Sequence, residues 1–234
     1  MEIRFLGTGG AFDVAYGNSA ALVKFKDKTL LLDCGFTVYP ELCRLQQIPE
    51  IEYLLLTHLH NDHSGSLANF LLHRYFFHPG KTPTLLYPDD DFKLDVIEFL
   101  RLQLQTPQAY LDFLPVIEFP GLTAFDTFGL HAPKYQTYAY IFEEENHRNV
   151  YSGDLAEPQA LLAHLRSLPL KPTTVYHDIA FSQENTAHTY YKNLQAYPAD
   201  YQLYGYHCDP TQNPEDNSIP LVYHQPELLF SPAQ

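Results

Sequence analysis

The sequence contains no tryptophan, only three cysteines among 234 residues, and half as many basic as acidic side chains. The odd and irregularly spaced Cys34, Cys43 and Cys208 argue against a disulfide framework and against a cysteine-based zinc site. They fit a reducing cytoplasm, which is the location we expect. With 14 Lys and Arg against 28 Asp and Glu, the formal charge is −14, and no basic cluster interrupts the chain. Such a surface repels polyphosphate backbones.

Long apolar runs are also absent. No segment approaches the roughly 18 consecutive apolar residues that a membrane helix needs, and residues 1–6 enter a strand-like pattern without the features of a signal peptide. We therefore expect no membrane association. No repeat, low-complexity tract or Gly/Ser-rich linker divides the chain, and 45% hydrophobic residues can form one substantial core. We predict a single domain over residues 1–234.

Strand-like and helix-like segments are mixed along both halves of the chain, which predicts an α/β fold of sheets flanked by helices. The predicted strands are residues 2–6, 20–25, 29–33, 51–56, 84–87, 116–119, 122–128, 137–142, 150–152, 173–176 and 201–206. The predicted helices are residues 38–47, 64–77, 89–105, 158–168 and 187–196. The acidic run Asp89-Asp90-Asp91 resembles a metal cluster, but we interpret it as a helix start, where negative charge suits the helix dipole.

The densest chemical signal is the run His58-Leu59-His60-Asn61-Asp62-His63, which directly follows the predicted strand 51–56. Its first two histidines are two residues apart, so in extended backbone they point the same way and can hold one ion. Its last two residues follow too closely to serve that same ion. A tight loop would instead present two donor pairs to two ions, which in two-metal hydrolases lie about 3.5–4 Å apart. The alternative is a solvated polar loop, and the buried strand before the run and Gly65 after it argue against that.

Four donors from one loop do not complete two metal sites, so further ligands must come from later in the chain. The best candidates lie at the ends of predicted strands. His131 precedes Ala132-Pro133, Asp154 follows the strand 150–152 and could bridge two ions, and His207 follows the strand 201–206. Each is a weak signal alone, because an isolated histidine is more often a core or surface residue.

In this order, the residues resemble the motif of the metallo-β-lactamase-fold hydrolases, which is H-x-H-x-D-H, then His, then a bridging Asp, then a last His. The resemblance covers nearly the whole chain and implies a four-layer αββα sandwich. The segment Phe5-Leu6-Gly7-Thr8-Gly9-Gly10-Ala11-Phe12 looks like the subgroup that contains ribonuclease Z and small phosphodiesterases. The segment Leu30-Leu31-Leu32-Asp33-Cys34-Gly35 resembles the strand whose Asp supports the metal-binding loop.

The resemblance also implies which residues hold two divalent metal ions. They are His58, His60 and His131 for the first ion, Asp62, His63 and His207 for the second, and Asp154 as the bridge. In this family a histidine at the position of His60 goes with hydrolases, whereas an acid goes with iron redox members. We therefore expect zinc or manganese and hydrolysis by a metal-bound hydroxide, with Asp62 accepting a proton while it ligates.

Proteins similar to ribonuclease Z carry a further histidine, oriented by an acid, that acts on the scissile phosphate. Asp178 in Tyr176-His177-Asp178 and His188 in Thr186-Ala187-His188-Thr189 match that order. A protonated imidazole there would stabilise developing charge and protonate the leaving oxygen. The alternative is that His188 is a surface residue near a helix start. The sequence leaves the role of His177 open.

The chain departs from ribonuclease Z in the interval between His131 and Asp154, where many members have a basic arm that grips tRNA. That interval spans 154 − 131 = 23 positions and contains the acidic turn 143–147. We therefore expect a small phosphodiester as substrate and no tRNA partner. The alternatives are a thioester, lactone or amide hydrolase on the same site, a ribonuclease Z-like RNA 3'-end nuclease, and a non-enzymatic metal-binding scaffold. The resemblance is compatible with a homodimer, since homodimers are common in this family, and the sequence leaves the oligomeric state open.

Overall fold

The computed structural model describes residues 1–195, 197, 199 and 201–230. These residues form two compact units, unit 1 with residues 1–120 and 226–230 and unit 2 within residues 121–225. The strands are β1 Glu2–Gly7, β2 Ala20–Phe25, β3 Lys28–Leu32, β4 Tyr53–Leu55, β5 Thr84–Tyr87, β6 Asp112–Pro115, β7 Leu122–Asp126, β8 Tyr138–Glu143, β9 Arg148–Tyr151, β10 Thr173–Asp178 and β11 Gln202–Tyr206. The α-helices are α1 Val38–Arg44, α2 Asn61–Ser64, α3 Leu67–Phe77, α4 Asp90–Leu104, α5 Gln159–Ser167 and α6 Tyr191–Leu194.

The sheet of unit 1 contains six strands in the order β1-β2-β3-β4-β5-β6. β1, β2 and β3 are antiparallel, and β3 to β6 are parallel. The turn between β2 and β3 places Lys26 and Asp27 at φ 52° and 59°, the left-handed pair that matches the twist of a two-residue hairpin. Because β3 and β4 run in parallel, the segments after their carboxyl ends leave the sheet at the same edge. The histidine-rich run begins at this edge.

The sheet of unit 2 contains five strands in the order β11-β10-β9-β8-β7. β9, β10 and β11 are parallel, whereas β7, β8 and β9 are antiparallel. The three parallel strands therefore end at one edge, and Asp154, Asp178 and His207 lie at or just beyond these ends. Helix α5 packs its buried leucines into the apolar core of this unit, in which Cys208 also lies as a packing residue. The prediction of sheets flanked by helices is confirmed.

Two predicted elements are wrong. Residues 116–119 form no strand, because Val116–Glu118 is a 3-10 helix and the strand that pairs with β5 is the preceding β6. The helix predicted at residues 187–196 is reduced to α6, and its last residue, Ala196, lies outside the described residues. Ahead of α6 the backbone is tied to the segment after β10, since the amide of Ala180 donates to the carbonyl of Thr189 at 2.8 Å. This hydrogen bond, and that from the amide of Tyr191 to the carbonyl of Ala180 at 3.0 Å, override the local preference for helix.

Helix α4 begins as the acidic run predicted. Asp89 is its N-cap, and its Oδ1 accepts a hydrogen bond from the amide of Phe92 at 2.9 Å. Asp90 and Asp91 occupy the first turn, where negative charge is favourable. Among the described residues, no helix combines the length and the apolar character needed to span a membrane.

Glu143, at the end of β8, holds two cations of unit 2. Its carboxylate accepts hydrogen bonds from the buried guanidinium of Arg148 and from Lys171 Nζ at 2.8 Å. Burial opposes ionisation of Glu143, but these hydrogen bonds hold the pKa of its carboxyl below the usual range. Because the folded-state pKa is depressed, the stabilisation is present at neutral pH and is lost as the pH falls through that pKa.

We expect Glu143→Gln to lower the free energy of unfolding at pH 7 by roughly 3 kcal/mol, because the buried Arg148 guanidinium loses its counter-charge. Urea denaturation measures this difference, which should shrink in acid as the wild-type carboxyl becomes protonated. Glu145→Gln, at an exposed position two residues on, should change stability by no more than about 0.5 kcal/mol. Equal losses in both variants would contradict the assignment.

Candidate metal centre

The histidine loop, residues 57–66, leaves the carboxyl end of β4 and includes the short helix α2. Ser64 closes its turn, because the hydroxyl donates to the carbonyls of Leu59 at 3.1 Å and His60 at 3.0 Å. His58, Asp62 and His63 are buried, and His60 is half-buried. A solvated polar loop would expose these side chains, so burial favours the metal-binding interpretation over that alternative.

The donors of the histidine loop form two pairs. Nε2 of His58 lies 3.0 Å from Nδ1 of His60, and Nε2 of His63 lies 3.2 Å from Oδ2 of Asp62. Each pair brings two lone-pair atoms close enough to face a common ion. This is the division that the spacing of the run predicts, with its first two histidines as one pair and its last two residues as the other.

Asp33 holds the histidine loop from the neighbouring strand end. Its carboxylate is fully buried and accepts hydrogen bonds from the amide of Thr57 at 2.7 Å, from the Thr57 hydroxyl at 2.9 Å, and from Nδ1 of His63 at 2.9 Å. Burial raises the pKa of the Asp33 carboxyl, although His63 and Thr57 oppose that rise. Because Nδ1 of His63 donates to Asp33, its Nε2 carries the lone pair that a metal needs.

The segment after Asp33 forms a second tie to the histidine loop. The amide of Cys34 donates to the carbonyl of His63 at 2.7 Å, and the Ser66 hydroxyl donates to the carbonyl of Gly35 at 2.6 Å. Burial raises the pKa of the Cys34 thiol to about 12, so the thiol stays protonated at neutral pH. Cys34 is a buried, neutral thiol that packs beside the Ser66 hydroxyl, with Sγ 3.6 Å from Oγ.

Gly35 packs so closely against the histidine loop that an added Cβ would overlap the carbonyl oxygen of Asp62. We expect Gly35→Ala to displace the loop, to lower the free energy of unfolding by about 2 kcal/mol, and to weaken metal binding. Thermal unfolding and zinc titration measure the two effects. Gly80→Ala is the control for zinc binding, because it strains a left-handed backbone at φ +84° but places its Cβ where nothing lies within 4 Å, and it should bind zinc as wild type does. Unchanged zinc affinity in Gly35→Ala would refute the role assigned to this contact.

In unit 2, three histidines surround the carboxylate of Asp154. Its Oδ2 lies 3.5 Å from Nε2 of His207, 3.7 Å from Nε2 of His131 and 3.8 Å from Nδ1 of His188. Nδ1 of His131 donates to the carbonyl of Ala187 at 2.7 Å, which leaves its Nε2 as the ligating atom. His207 has φ +67°, a left-handed backbone that is uncommon in residues other than glycine and recurs at functional sites.

The predicted pair of Asp178 and His188 forms within this cluster. Nδ1 of His188 donates to Oδ2 of Asp178 at 2.9 Å, and Asp178 is fully buried. Burial opposes ionisation of Asp178, but hydrogen bonds from His177 and His188 hold the pKa of its carboxyl below the usual range. His188 lies in a loop three residues before α6, and its side chain is half-buried at 18% exposure.

Sequence reasoning missed the uncharged residues that position these groups. Thr57 bonds Asp33 and lies 3.1 Å from Nδ1 of His58 through its hydroxyl, and Ser152 accepts a hydrogen bond from the amide of Asp178 at 3.1 Å. Single hydroxyl residues carry no spacing signal, because their partners are distant in sequence. The only available hint was their place beside strand ends that already carried candidate ligands.

The donor set fits divalent metal ions. Within unit 1 it offers three imidazoles and a carboxylate, and within unit 2 a buried carboxylate surrounded by imidazoles, with His131, Asp154 and His188 placing ligand atoms within 4.8 Å of one another. Imidazole and carboxylate suit zinc and manganese alike. The Nδ1 hydrogen bonds of His63 and His131 fix the ring orientation, as metal-binding histidines require.

Known structures identify the fold. YhfI of Bacillus subtilis, a metallo-β-lactamase fold protein, aligns with a TM-score of 0.68 at 18% identity and covers 88% of this chain and 85% of that one. The short form of human tRNase Z aligns at 0.65 with 19% identity, covering 94% and 100%. A diphosphatase from the PhnP family aligns at 0.65 with 18% identity, covering 88% and 86%. These likenesses confirm the predicted metallo-β-lactamase fold.

Sequence relatives identify the family. The family model described as anti-Pycsar protein Apyc1 matches residues 1–223. An anti-Pycsar protein Apyc1 from Paenibacillus harenae is 30% identical over 214 residues, covering 86% of this chain and 86% of the relative. Another, from Paenibacillus sp. (strain J14), is 25% identical over 229 residues with the same coverage. The chain therefore belongs to the anti-Pycsar protein Apyc1 family.

Proposed function

We propose that the protein is a metal-dependent phosphodiesterase that hydrolyses the cyclic phosphodiester of a cyclic nucleotide. Its relatives are named as anti-Pycsar proteins, and metallo-β-lactamase-fold neighbours include a diphosphatase. The observation that carries the proposal is the hydrogen bond between His188 and the buried Asp178, beside Asp154. The alkoxide that leaves a phosphodiester needs a proton donor, whereas a thioester, lactone or amide hydrolase on this site would use the same metals without needing His188.

The metal ligands we propose follow the order of the family motif. They are His58, His60 and His131 for one ion, Asp62, His63 and His207 for a second, and Asp154 as the bridge. Bound zinc or manganese would supply Lewis acidity for the phosphoryl oxygens and activate water as the nucleophile. Around the ions, Asp33 and the carbonyl of Ala187 hold the ligand rings of His63 and His131 in position.

His188 would act as the general acid that protonates the leaving oxygen. Water adds to phosphorus, one phosphorus–oxygen bond to the ribose breaks, and the departing ribose oxygen takes a proton from Nε2 of His188. The product is a nucleoside monophosphate. Asp178 supports this step because its carboxylate binds Nδ1–H of His188 and stabilises the ring while it is cationic. Asp62 would accept the proton that the nucleophile loses.

The interval between His131 and Asp154 supports a small substrate. It contains the antiparallel strands β8 and β9, joined by a tight turn in which the amide of Glu144 donates to the carbonyl of His147 at 2.9 Å. No basic arm extends from this hairpin, and its turn is acidic. Together with the net charge of −14, this supports a mononucleotide in preference to tRNA. Cys34, Cys43 and Cys208 form no disulfide with one another, which supports a reducing cytoplasm as the location.

The experiment is to incubate the protein, loaded separately with zinc and manganese, with 3′,5′-cyclic mononucleotides of each base and to follow the products by ³¹P NMR. We expect the cyclic diester resonance to be replaced by that of a monoester. His188→Ala should slow this turnover by about 100-fold or more. A parallel panel of thioesters, lactones and amides tests the rivals. Turnover there with inert phosphodiesters would overturn the proposal, and inertness of the loaded protein on every substrate would favour a metal-binding scaffold.

A further inference from the structure

His177 is a buried histidine that no part of the proposed reaction uses. It precedes Asp178 on β10 and is fully buried. Its Nδ1 donates to the carbonyl of Asp178 at 2.8 Å and lies 3.0 Å from Oδ1 of that carboxylate. Its Nε2 is buried without a hydrogen-bond partner among the described residues. Leaving an imidazole nitrogen unsatisfied in a core is unfavourable, so an apolar residue would serve packing better.

The two oxygens of Asp178 face different partners. Oδ2 accepts hydrogen bonds from Nδ1 of His188 at 2.9 Å and from the amide of Leu155 at 3.1 Å. Oδ1 accepts no hydrogen bond among the described residues and lies 3.0 Å from Nδ1 of His177, whose proton goes to the backbone carbonyl of Asp178. Rotation of the carboxylate about its Cβ–Cγ bond would break all three contacts together. The contact with His177 therefore resists the rotation that would turn Oδ2 away from His188.

Building on the proposed function, we propose that His177 is a positioning residue that fixes the Asp178 carboxylate for His188, in a buried His177–Asp178–His188 array. With Oδ1 held beside the Nδ1–H dipole of His177 at 3.0 Å, the other oxygen is directed at Nδ1 of His188, which keeps the proton on that nitrogen when His188 is neutral. Nε2 of His188 is then the atom that exchanges a proton with the substrate. The ring of Tyr197 packs edge-on against His177 at a centroid distance of 5.7 Å and restricts the imidazole from one side.

The test compares three side chains at position 177. His177→Asn places an amide NH₂ near the position of Nδ1 and should retain the contact with Asp178. His177→Leu has a similar volume but no donor. If the leucine variant does not fold, His177→Gln replaces it, because the glutamine amide reaches the Nε2 position and not the Nδ1 position.

The first measurement is independent of substrate and of the proposed reaction. Long-range ¹H–¹⁵N correlation spectra of the purified protein report which ring nitrogen of His188 is protonated. We expect the Nδ1–H tautomer to dominate in wild type and in His177→Asn, and to lose population in His177→Leu. An unchanged tautomer in His177→Leu would overturn the positioning role, whether or not the protein hydrolyses phosphodiesters.

The second measurement uses the leaving group. A ribose alkoxide needs a proton as it departs, whereas p-nitrophenolate departs without one. We expect His177→Leu to lower kcat for a cyclic nucleotide by about 10–100-fold with little change in KM, and to change bis-p-nitrophenyl phosphate turnover by no more than about threefold. His177→Asn should recover most of the loss. Equal losses on both substrates would show a merely structural role and overturn the inference. A wild-type protein inert on both would refute the proposed function, and the tautomer measurement alone would then decide the inference.

Discussion

Replacing Asp154 by asparagine is expected to lower the proposed phosphodiesterase activity by at least about 1000-fold. Oδ2 of Asp154 lies 3.5–3.8 Å from one nitrogen each of His131, His188 and His207, so a single buried oxygen faces three imidazoles. Asparagine keeps the shape but removes the negative charge that would hold two cations. Losing several kcal/mol of charge stabilisation at the reacting phosphate corresponds to at least this factor in rate.

The same substitution should remove part of the bound metal. Elemental analysis of protein purified under identical conditions gives the metal content per chain, and we expect Asp154→Asn to retain about one ion or less where wild type retains two. Glu157→Gln, three residues further on at an exposed position, is the matched control and should leave metal content and rate unchanged. Full metal loading with near-normal turnover in Asp154→Asn would rule out the bridging role.

The sequence was most informative where chemistry is concentrated in a short segment. The run from His58 to His63 can be recognised by itself as a candidate metal-binding segment. Its donors are so close in sequence that, beside the end of a buried strand, they must lie near one another in space. Asp154 and His207 are isolated, and only the order of a known motif selects them. Their convergence depends on β9 and β11 ending at one sheet edge, a long-range pairing that local patterns do not specify.

The errors of sequence reasoning also have physical causes. The segment 187–196 has helix-forming residues, but the amide of Ala180 pairs with the carbonyl of Thr189 and the hydroxyl of Thr189 donates to the carbonyl of Leu155. These contacts hold His188 in a loop, where Nδ1 reaches Asp178. The local sequence favours a helix over residues 187–196, but tertiary hydrogen bonds hold the part that contains His188 in a loop. The role of His177 could not be predicted either. Its contact with Asp178 depends on the side-chain conformations of both residues, which the sequence alone does not determine.

The second large effect concerns Asp33→Asn, which we expect to weaken zinc binding by about 10–100-fold while the fold persists. The asparagine oxygen can still accept the hydrogen bond from the amide of Thr57. Its NH₂ group then replaces Oδ2 and faces Nδ1 of His63, which at present donates to Asp33 at 2.9 Å. Two donors cannot bond each other, so Nδ1 becomes the acceptor and the ring proton moves to Nε2. That proton occupies the lone pair that a metal would use.

Calorimetric titration of metal-free protein with zinc measures this loss, and nitrogen-correlated spectra of His63 report the proton shift. Asp27→Asn is the matched control, because Asp27 also has a left-handed backbone, at φ 59°, but lies exposed in the turn between β2 and β3. The control should bind zinc as wild type does. If Asp33→Asn moves the His63 proton without weakening zinc binding, then Nε2 of His63 is not a metal ligand. If it weakens binding without moving the proton, Asp33 acts by charge, because the neutral amide no longer balances the cations held by the histidine loop.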